Sequence, residues 1–316
     1  MRQTVTRSLL LSAVAWSALG AAALAQTGPG RPAQVDDVIV TATPYGVTQR
    51  ATTIATDVLD DQALAIAPAT SLGDLVNGLP GVRSTDFAPG ASRPVIRGLS
   101  GPRVQVLTNG LGQIDASSVS PDHAVATDPG EAHRIEVVRG PATLVYGGSA
   151  IGGVVNIIDD RIPEALPEGG IEGRVSTQYS SVDDGRGASG HVTVGAGRFA
   201  FNLSGVTRKT DDYDIPSPAR SQVLADSDGE PRGAGDKQPN SWSELNAWGV
   251  GGSYIADKGF VGLSYKKTEN EYGTVAEPEV FINLEQERWD GRGEYRFDAG
   301  PFAKVRASYE IGRAHV

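Results

Sequence analysis

From about residue 170 onward the chain alternates with period two. Stretches 171–181, 188–196, 199–208, 244–256, 259–269, 284–298 and 302–309 each set two unlike faces against one another, as strands do. In 284–298 one face is Leu284, Gln286, Arg288, Asp290, Arg292, Glu294, Arg296 and Asp298. The other is Glu285, Glu287, Trp289, Gly291, Gly293, Tyr295 and Phe297. Val261, Leu263 and Tyr265 oppose Ser264, Lys266 and Thr268, and Phe199, Phe201 and Leu203 oppose Asn202, Ser204 and Arg208. A soluble sandwich buries more Val, Ile and Leu than these strands offer. Here the apolar faces are thin and built from Gly, Ala and aromatics, while the polar faces bear full charges. That pattern predicts antiparallel transmembrane β-barrel strands with lipid outside and a wet interior.

The connections alternate too. Short turns are expected at Gly195–Arg198, Ala256–Gly259 and Asp298–Pro301, and long connections at 182–187, 210–243 and 270–283. Outer-membrane barrels have short periplasmic turns and long outer loops, so a chain entering from the periplasm puts the long connections outside. A barrel with a filled lumen needs about 22 strands, and seven cannot close. The chain reads as the first part of a longer protein, an incomplete barrel. The tail Ile311–Val316 (IGRAHV) breaks the alternation and resembles a translated sequencing-adapter read-through, so 311–316 is set aside as a cloning or sequencing scar.

Upstream, the organisation differs. Arg2 and Arg7, an apolar run Leu9–Leu24 and the small-x-small site Ala23-Leu24-Ala25 predict a cleaved export signal over 1–25. Residues 26–35 form a Gly/Pro-rich tether. The β-prone segment Asp36, Asp37, Val38, Ile39, Val40, Thr41, Ala42 and Thr43 follows alone. It is suited either to add onto another protein's sheet edge or to be the first strand of the next domain. Residues 45–160 read as an α+β domain. Within 71–82 a helix carries Leu72, Leu75, Val76 and Leu79 on one face and is stopped by Gly and Pro, and strands are predicted at 94–98, 103–108 and 134–141. Asn109-Gly110 is a hairpin signal.

Composition narrows the function classes. Of 316 residues, 40 are Gly, 19 Pro and none Cys, and the formal charge is −10 from 28 basic and 38 acidic residues. Nucleic-acid binding needs a basic patch, which this balance disfavours. Without cysteine there is no disulfide, thiolate metal site or thiol nucleophile. The stretch GGSAIGG (147–153) has no Lys-Ser/Thr after it and runs into VVNII rather than a helix, so it does not read as a phosphate loop. No HExxH or GxSxG motif occurs, and no enzyme reading gains support.

Taken in order, the export signal, DDVIVTAT, the LPGV helix end, IRG, VRGPATLVYGGSAIGGVVNI and the barrel start resemble the N-terminal half of a TonB-dependent outer-membrane receptor. The resemblance covers roughly 36–309. It implies a plug over about 45–160 seated in the barrel lumen, with substrate on its outer side. It also implies a TonB box at 36–43, gripped by the periplasmic TonB protein through strand addition, and the inner-membrane proton gradient as the source of work.

In the plug, Ser120-Pro121-Asp122-His123-Ala124 stands out. Asp122 and His123 on a Pro-started loop can reach one divalent ion, carboxylate and imidazole both being zinc ligands; an Asp-His pair alone is more often solvated loop. SPDHA through VVNIIDDRIP, with ENEYG and EQERWDGRGEYR, is similar to the zinc-uptake branch of the family. That resemblance implies Asp122 and His123 at the transported metal, Zn²⁺ as cargo rather than cofactor, with further ligands from the barrel. One departure is that the loop after ENEYG, often His-rich in that branch, has no histidine over 273–279. Of the four histidines, His133 precedes a plug strand and reads as structural, His191 lies on a polar strand face, and His315 lies in the tail. The alternatives are an importer of a ferric siderophore or other bulky ligand and, in another class, a surface adhesin or signalling receptor. Only about ten residues separate Gln26 from Asp36, too few for a signalling domain. The expected partners are TonB, outer-membrane lipid and the metal ion or chelate.

Overall fold

The computed structural model describes residues 39–40, 47–48, 55–67, 70–113, 116–140, 143, 146–229, 231–232, 235–299 and 302–316. Residues 39–316 form one compact unit. The export signal and tether lie outside the described residues. Among the described residues no helix is long and apolar enough to cross a membrane.

The N-terminal domain begins with a two-residue ribbon, β1 (Ile39–Val40) against β2 (Val47–Thr48). Its elements are then β3 (Ala55–Leu59), helix α1 (Asp61–Ile66), helix α2 (Leu72–Val76), β4 (Val82–Ser84), β5 (Pro94–Ile96), β6 (Val104–Thr108), β7 (Leu111–Gly112), β8 (Arg134–Arg139) and β9 (Gly153–Ile158). A five-stranded sheet runs β3-β8-β9-β6-β7, and β4 and β5 pair apart from it. The β6–β9 pairing is parallel and the others in this sheet are antiparallel, so the α+β expectation holds with a mixed sheet. Leu72, Val76, Val82, Ile96, Val104, Val106, Ile135, Val137, Val155 and Ile157 fill one side of it.

Local chemistry accounts for the boundaries. Ser71 caps α2 by accepting from the Asp74 amide at 3.3 Å. The helix is stopped by glycine as expected, but at Val76 and so short of Leu79, because Gly78 takes a φ of +101°, where an α-helix cannot follow. Leu79 still packs against the core. The expected hairpin forms: Asn109 and Gly110 have φ of +53° and +83°, the pair of positive values a type I′ turn requires, and Thr108 faces Leu111. Helix α1 has only six residues and is set by its cap, Asp60 accepting from the Ala63 amide at 2.9 Å. Its periodicity is too short to read from the sequence.

The C-terminal half is one antiparallel seven-stranded sheet in chain order. Its strands are β10 (Ile171–Ser180), β11 (Gly185–Ala196), β12 (Phe199–Thr210), β13 (Ser243–Ala256), β14 (Gly259–Thr274), β15 (Glu277–Arg296) and β16 (Lys304–His315), with helix α3 (Gln222–Asp228) in the connection before β13. All seven expected strands are present. The long connection expected at 270–283 is absent: β14 and β15 run on as a hairpin, Tyr272 opposite Ile282, to a turn at Val275 and Ala276. Its base is pinned by Asn240, whose Nδ2 donates to the carbonyls of Thr274 at 3.0 Å, Glu277 at 2.9 Å and Val280 at 2.6 Å. The break in alternation expected at Ile311 does not occur either, since β16 pairs with β15 as far as His315 opposite Glu285.

One face of this sheet points outward and is apolar. Phe199, Phe201, Leu203, Trp248, Val250, Val261, Leu263, Trp289, Tyr295, Tyr309 and Ile311 are all exposed. Trp248, Tyr265 and Trp289 meet across three strands with ring centroids 5.4 and 4.8 Å apart. Charges begin on the outward face at Lys267 and, opposite it, Glu287. From Arg288 to the end of β15 at Arg296, at about 3.3 Å per residue and a tilt of about 40°, the strand rises roughly 20 Å. Outer-membrane barrels carry an apolar band of about 25 Å.

Candidate functional site

The N-terminal domain rests on the inward face of the sheet, and charge pairs join them. Lys266 of β14 pairs with Glu131, and Arg208 of β12 lies 2.6 Å from Asp128. Arg292 of β15 reaches Glu164 at 3.1 Å. Arg161 donates from Nε and Nη2 to one oxygen of Asp159 at 2.9 and 2.6 Å and stands 3.7 Å from Asp290 of the sheet. Asp290 in turn accepts from Arg288 Nε at 2.8 Å. Burial works against ionisation of Asp159, but the Arg161 guanidinium outweighs it and holds the carboxyl below the usual range. Burial likewise opposes the Arg161 charge, and Asp159 more than restores it. The inward charges that read as lining a wet interior are therefore covered and paired along this interface.

Glycine lets the two bodies approach. A Cβ on Gly251 would overlap the carbonyl of Arg161, and one on Gly262 would meet Ile162. The segment after β9 thus lies directly on the backbone of β13 and β14.

Toward the end of the sheet with the long β12–β13 connection, Ser120–Ala124 forms a tight turn. Asp122 Oδ1 lies 2.9 Å from His123 Nδ1 and accepts from the Ser120 hydroxyl. The Ser120 bond, opposed by burial and joined by His123, holds the Asp122 carboxyl below its usual range. The structure does bring the two predicted residues together. The carboxylate occupies one ring nitrogen, an arrangement that orients the imidazole and leaves Nε2 for a ligand. The side chains are 35% and 19% exposed, respectively. Among the described residues no group of three or more His, Asp or Glu is arranged to hold a metal ion.

The residue that fixes this loop is Tyr272, which the sequence pattern does not single out. Its ring is buried with Ala88, Ala91, Ala124 and Ile282. Its hydroxyl accepts from the Ala124 amide at 2.8 Å and donates to the Asp122 carbonyl at 3.1 Å. The one available signal is its place on the polar face of β14 inside ENEYG.

Of the segment 36–43, only Ile39 and Val40 are described, in β1. Among the described strands, β2 alone pairs with them. Asp36, Asp37, Val38, Thr41, Ala42 and Thr43 lie outside the described residues. His191 is on the inward side of β11, opposite Arg174. His133 meets Asp61, with Nδ1 and Oδ2 2.8 Å apart.

Residues 48–154 match the family model described as the TonB-dependent receptor plug domain. Among solved structures, the chain is similar to the copper transporter OprC (TM-score 0.66, 19% identity, 82% of this chain and 37% of that one). It is also similar to the ferric enterobactin receptor PfeA of Pseudomonas aeruginosa (0.61, 17%, 83% and 42%). The third is the hemophore receptor HasR of Serratia marcescens (0.64, 15%, 81% and 37%). The likeness is one of fold, a plug followed by barrel strands. The chain spans about two-fifths of the length of these proteins.

Proposed function

We propose that this chain belongs to an energy-coupled importer of the outer membrane, a TonB-dependent receptor whose cargo is a scarce metal ion, zinc by preference. The observation that carries this reading is the combination of a TonB-dependent receptor plug domain with a sheet whose exposed face is apolar and whose covered face is charged. That arrangement suits strands crossing lipid with a plug in the lumen. Residues 36–43 would be the segment that TonB grips from the periplasm by strand addition. The outer membrane holds no ATP, so uphill import needs such a link to the inner membrane.

For the cargo, His123 would bind zinc through Nε2 while Asp122 orients the ring or adds an oxygen ligand after releasing it. A two-residue site leaves coordination positions for water, for other residues of the receptor or for a chelator. The same observation favours a second reading, in which the metal arrives already chelated, as in a ferric siderophore. Neighbours in fold include both a copper transporter and a ferric enterobactin receptor.

Two experiments test the proposal. Deleting residues 36–43 should abolish energy-dependent uptake while leaving cargo binding at the cell surface; undiminished uptake would remove the TonB reading. Replacing His123 with Ala should weaken zinc binding to the purified receptor at least tenfold, about 1.4 kcal/mol. Unchanged affinity in a calorimetric titration would exclude zinc at this loop.

A further inference from the structure

A second carboxylate–imidazole group lies toward the short-turn end of the sheet, and it joins three bodies rather than two neighbours. Asp61 opens α1 immediately behind β3. Among the described strands β3 is at the edge of its sheet and pairs with β8 alone, Ala55 opposite Arg139 through Leu59 opposite Ile135. On the Asp61 carboxylate converge His133 from the start of β8, 2.8 Å away, and the guanidinium of Arg174 from β10. Arg174 also donates to the Ala132 carbonyl at 3.2 Å. The same ring nitrogen, His133 Nδ1, also lies 3.6 Å from Asp160, which follows β9. One imidazole nitrogen therefore faces both a carboxylate on the helix behind the edge strand and a carboxylate just after a strand of the plug sheet, and one arginine ties the group to the barrel wall.

The order along the chain gives this meaning. Within the five-stranded plug sheet, a pull arriving through residues 36–43 reaches β3 before any other strand, and an antiparallel edge strand drawn from its end opens one residue pair at a time. Asp57 within β3 is held by Arg139, a contact inside the plug. Asp61 is the next tied side chain, and its ties lead both to the plug and to the wall. We propose that Asp61 is a positioning residue of the transport cycle, the joint at which the pull divides between plug sheet and barrel wall, and that the proton on His133 sets how firmly the joint holds. This rests on the reading that residues 36–43 are gripped from the periplasm.

The charged surroundings of His133 are Asp61 of α1, Asp160, Arg134 of β8 and, beyond the two aspartates, Arg174 of β10 and His191 of β11. The bond to Asp61, opposed by burial and supported by Asp160, raises the imidazole above its ordinary range. Burial also raises Asp160. Burial of Asp61 opposes its ionisation, but His133 and Arg174 outweigh that and hold it below the usual carboxylate range. A raised imidazole contributes fully below its unfolded value of about 6.5 and loses that contribution as pH rises through the raised folded value. The joint is thus firm in mild acid and loosens as the pH rises through the raised imidazole value.

The chain has no cysteine, and Ile66 at the end of α1 is 79% exposed, so Ile66→Cys, placed in a receptor with every cysteine outside this chain changed to Ser, accepts a spin label in the membrane-embedded state. The immobile spectral component should dominate at pH 6, and the mobile fraction should rise at least threefold by pH 8. Asp61→Asn should give the mobile spectrum at both values, and Asp61→Glu should restore the immobile one at pH 6. His133→Asn should remove the pH dependence. Arg174→Gln should raise mobility yet keep that dependence. An Asp61→Asn label as immobile as the parent at pH 6, or a pH response surviving in His133→Asn, would overturn the joint. These spectra need no TonB, so they stand apart from the deletion of 36–43. If that deletion stops uptake while Asp61→Asn imports at the parent rate with a mobile helix, the positioning role is wrong.

Discussion

The two faces of the seven-stranded sheet invert the usual arrangement of a soluble protein. Outward, Leu263 and Phe201 are each 55% exposed; inward, Lys266 and Arg288 are each under 4% exposed. Neither face makes sense in water alone. Isolated exposed apolar residues are ordinary, but a contiguous band of them marks an interface. Buried charges occur only where partners meet them, and here the N-terminal side supplies Glu131, Asp128, Arg161 and Glu164. The sheet therefore has two unlike faces, one matched to the charged domain it covers and the other to an apolar neighbour, which under the proposed function is lipid.

The inward half of the comparison breaks most sharply at Lys266. Lys266→Ala leaves Glu131 buried and unpaired, and removing one partner of a buried pair costs about 3–5 kcal/mol. Chemical unfolding of the membrane-embedded receptor should show a loss of that size. The double variant Lys266→Met with Glu131→Leu should recover most of it, because a buried pair replaced by apolar side chains is often neutral. A loss below about 1 kcal/mol in the single variant, the range of solvated pairs, would mean that the pair is reached by water. The outward half is tested by Leu263→Arg. Facing lipid near the middle of the band, the charge should destabilise by about 2–4 kcal/mol; on a water-exposed sheet the change would stay within about 0.5 kcal/mol. The second result would remove the membrane from the interpretation.

Much of this is legible in the sequence, for definite reasons. Period two decides which residues share a face, so spacing alone separates Trp289, Gly291, Gly293 and Tyr295 from Arg288, Asp290 and Arg292. The Asn109-Gly110 turn and the adjacent Asp122 and His123 are local, and local chemistry can be read. The hairpin over 270–283 reads as a loop because Gly273 and Pro278 mark turns, whereas strand pairing and Asn240, more than 30 residues away, hold the segment extended. Long-range partners are beyond reach. Lys266 meets Glu131 and Asp61 meets His133 only after folding, and nothing in the spacing of either pair announces it. The α2 helix shows a third limit: Gly and Pro announce its stop, but the apolar face running on to Leu79 hides that the stop already falls before Gly78.

The finest form of the comparison sets two tyrosines of β14 against each other. Tyr265 points outward among the aromatic rings, and Tyr272 points inward, its hydroxyl joining the Ala124 amide to the Asp122 carbonyl. Tyr272→Phe preserves the ring within its cluster of Ala88, Ala91 and Ile282 and leaves two backbone groups without their bridge. An unsatisfied buried group costs roughly 1–3 kcal/mol, so the melting temperature should fall. Zinc affinity should weaken several-fold as the Asp122–His123 turn loosens. Tyr265→Phe should alter stability by no more than about 0.5 kcal/mol and leave affinity unchanged. If Tyr272→Phe melts earlier yet binds zinc as before, the tyrosine holds only the fold and the cargo site does not depend on the turn it clamps. If the two variants behave alike, the hydroxyl bridge contributes nothing, and the inward face is held by its charge pairs alone.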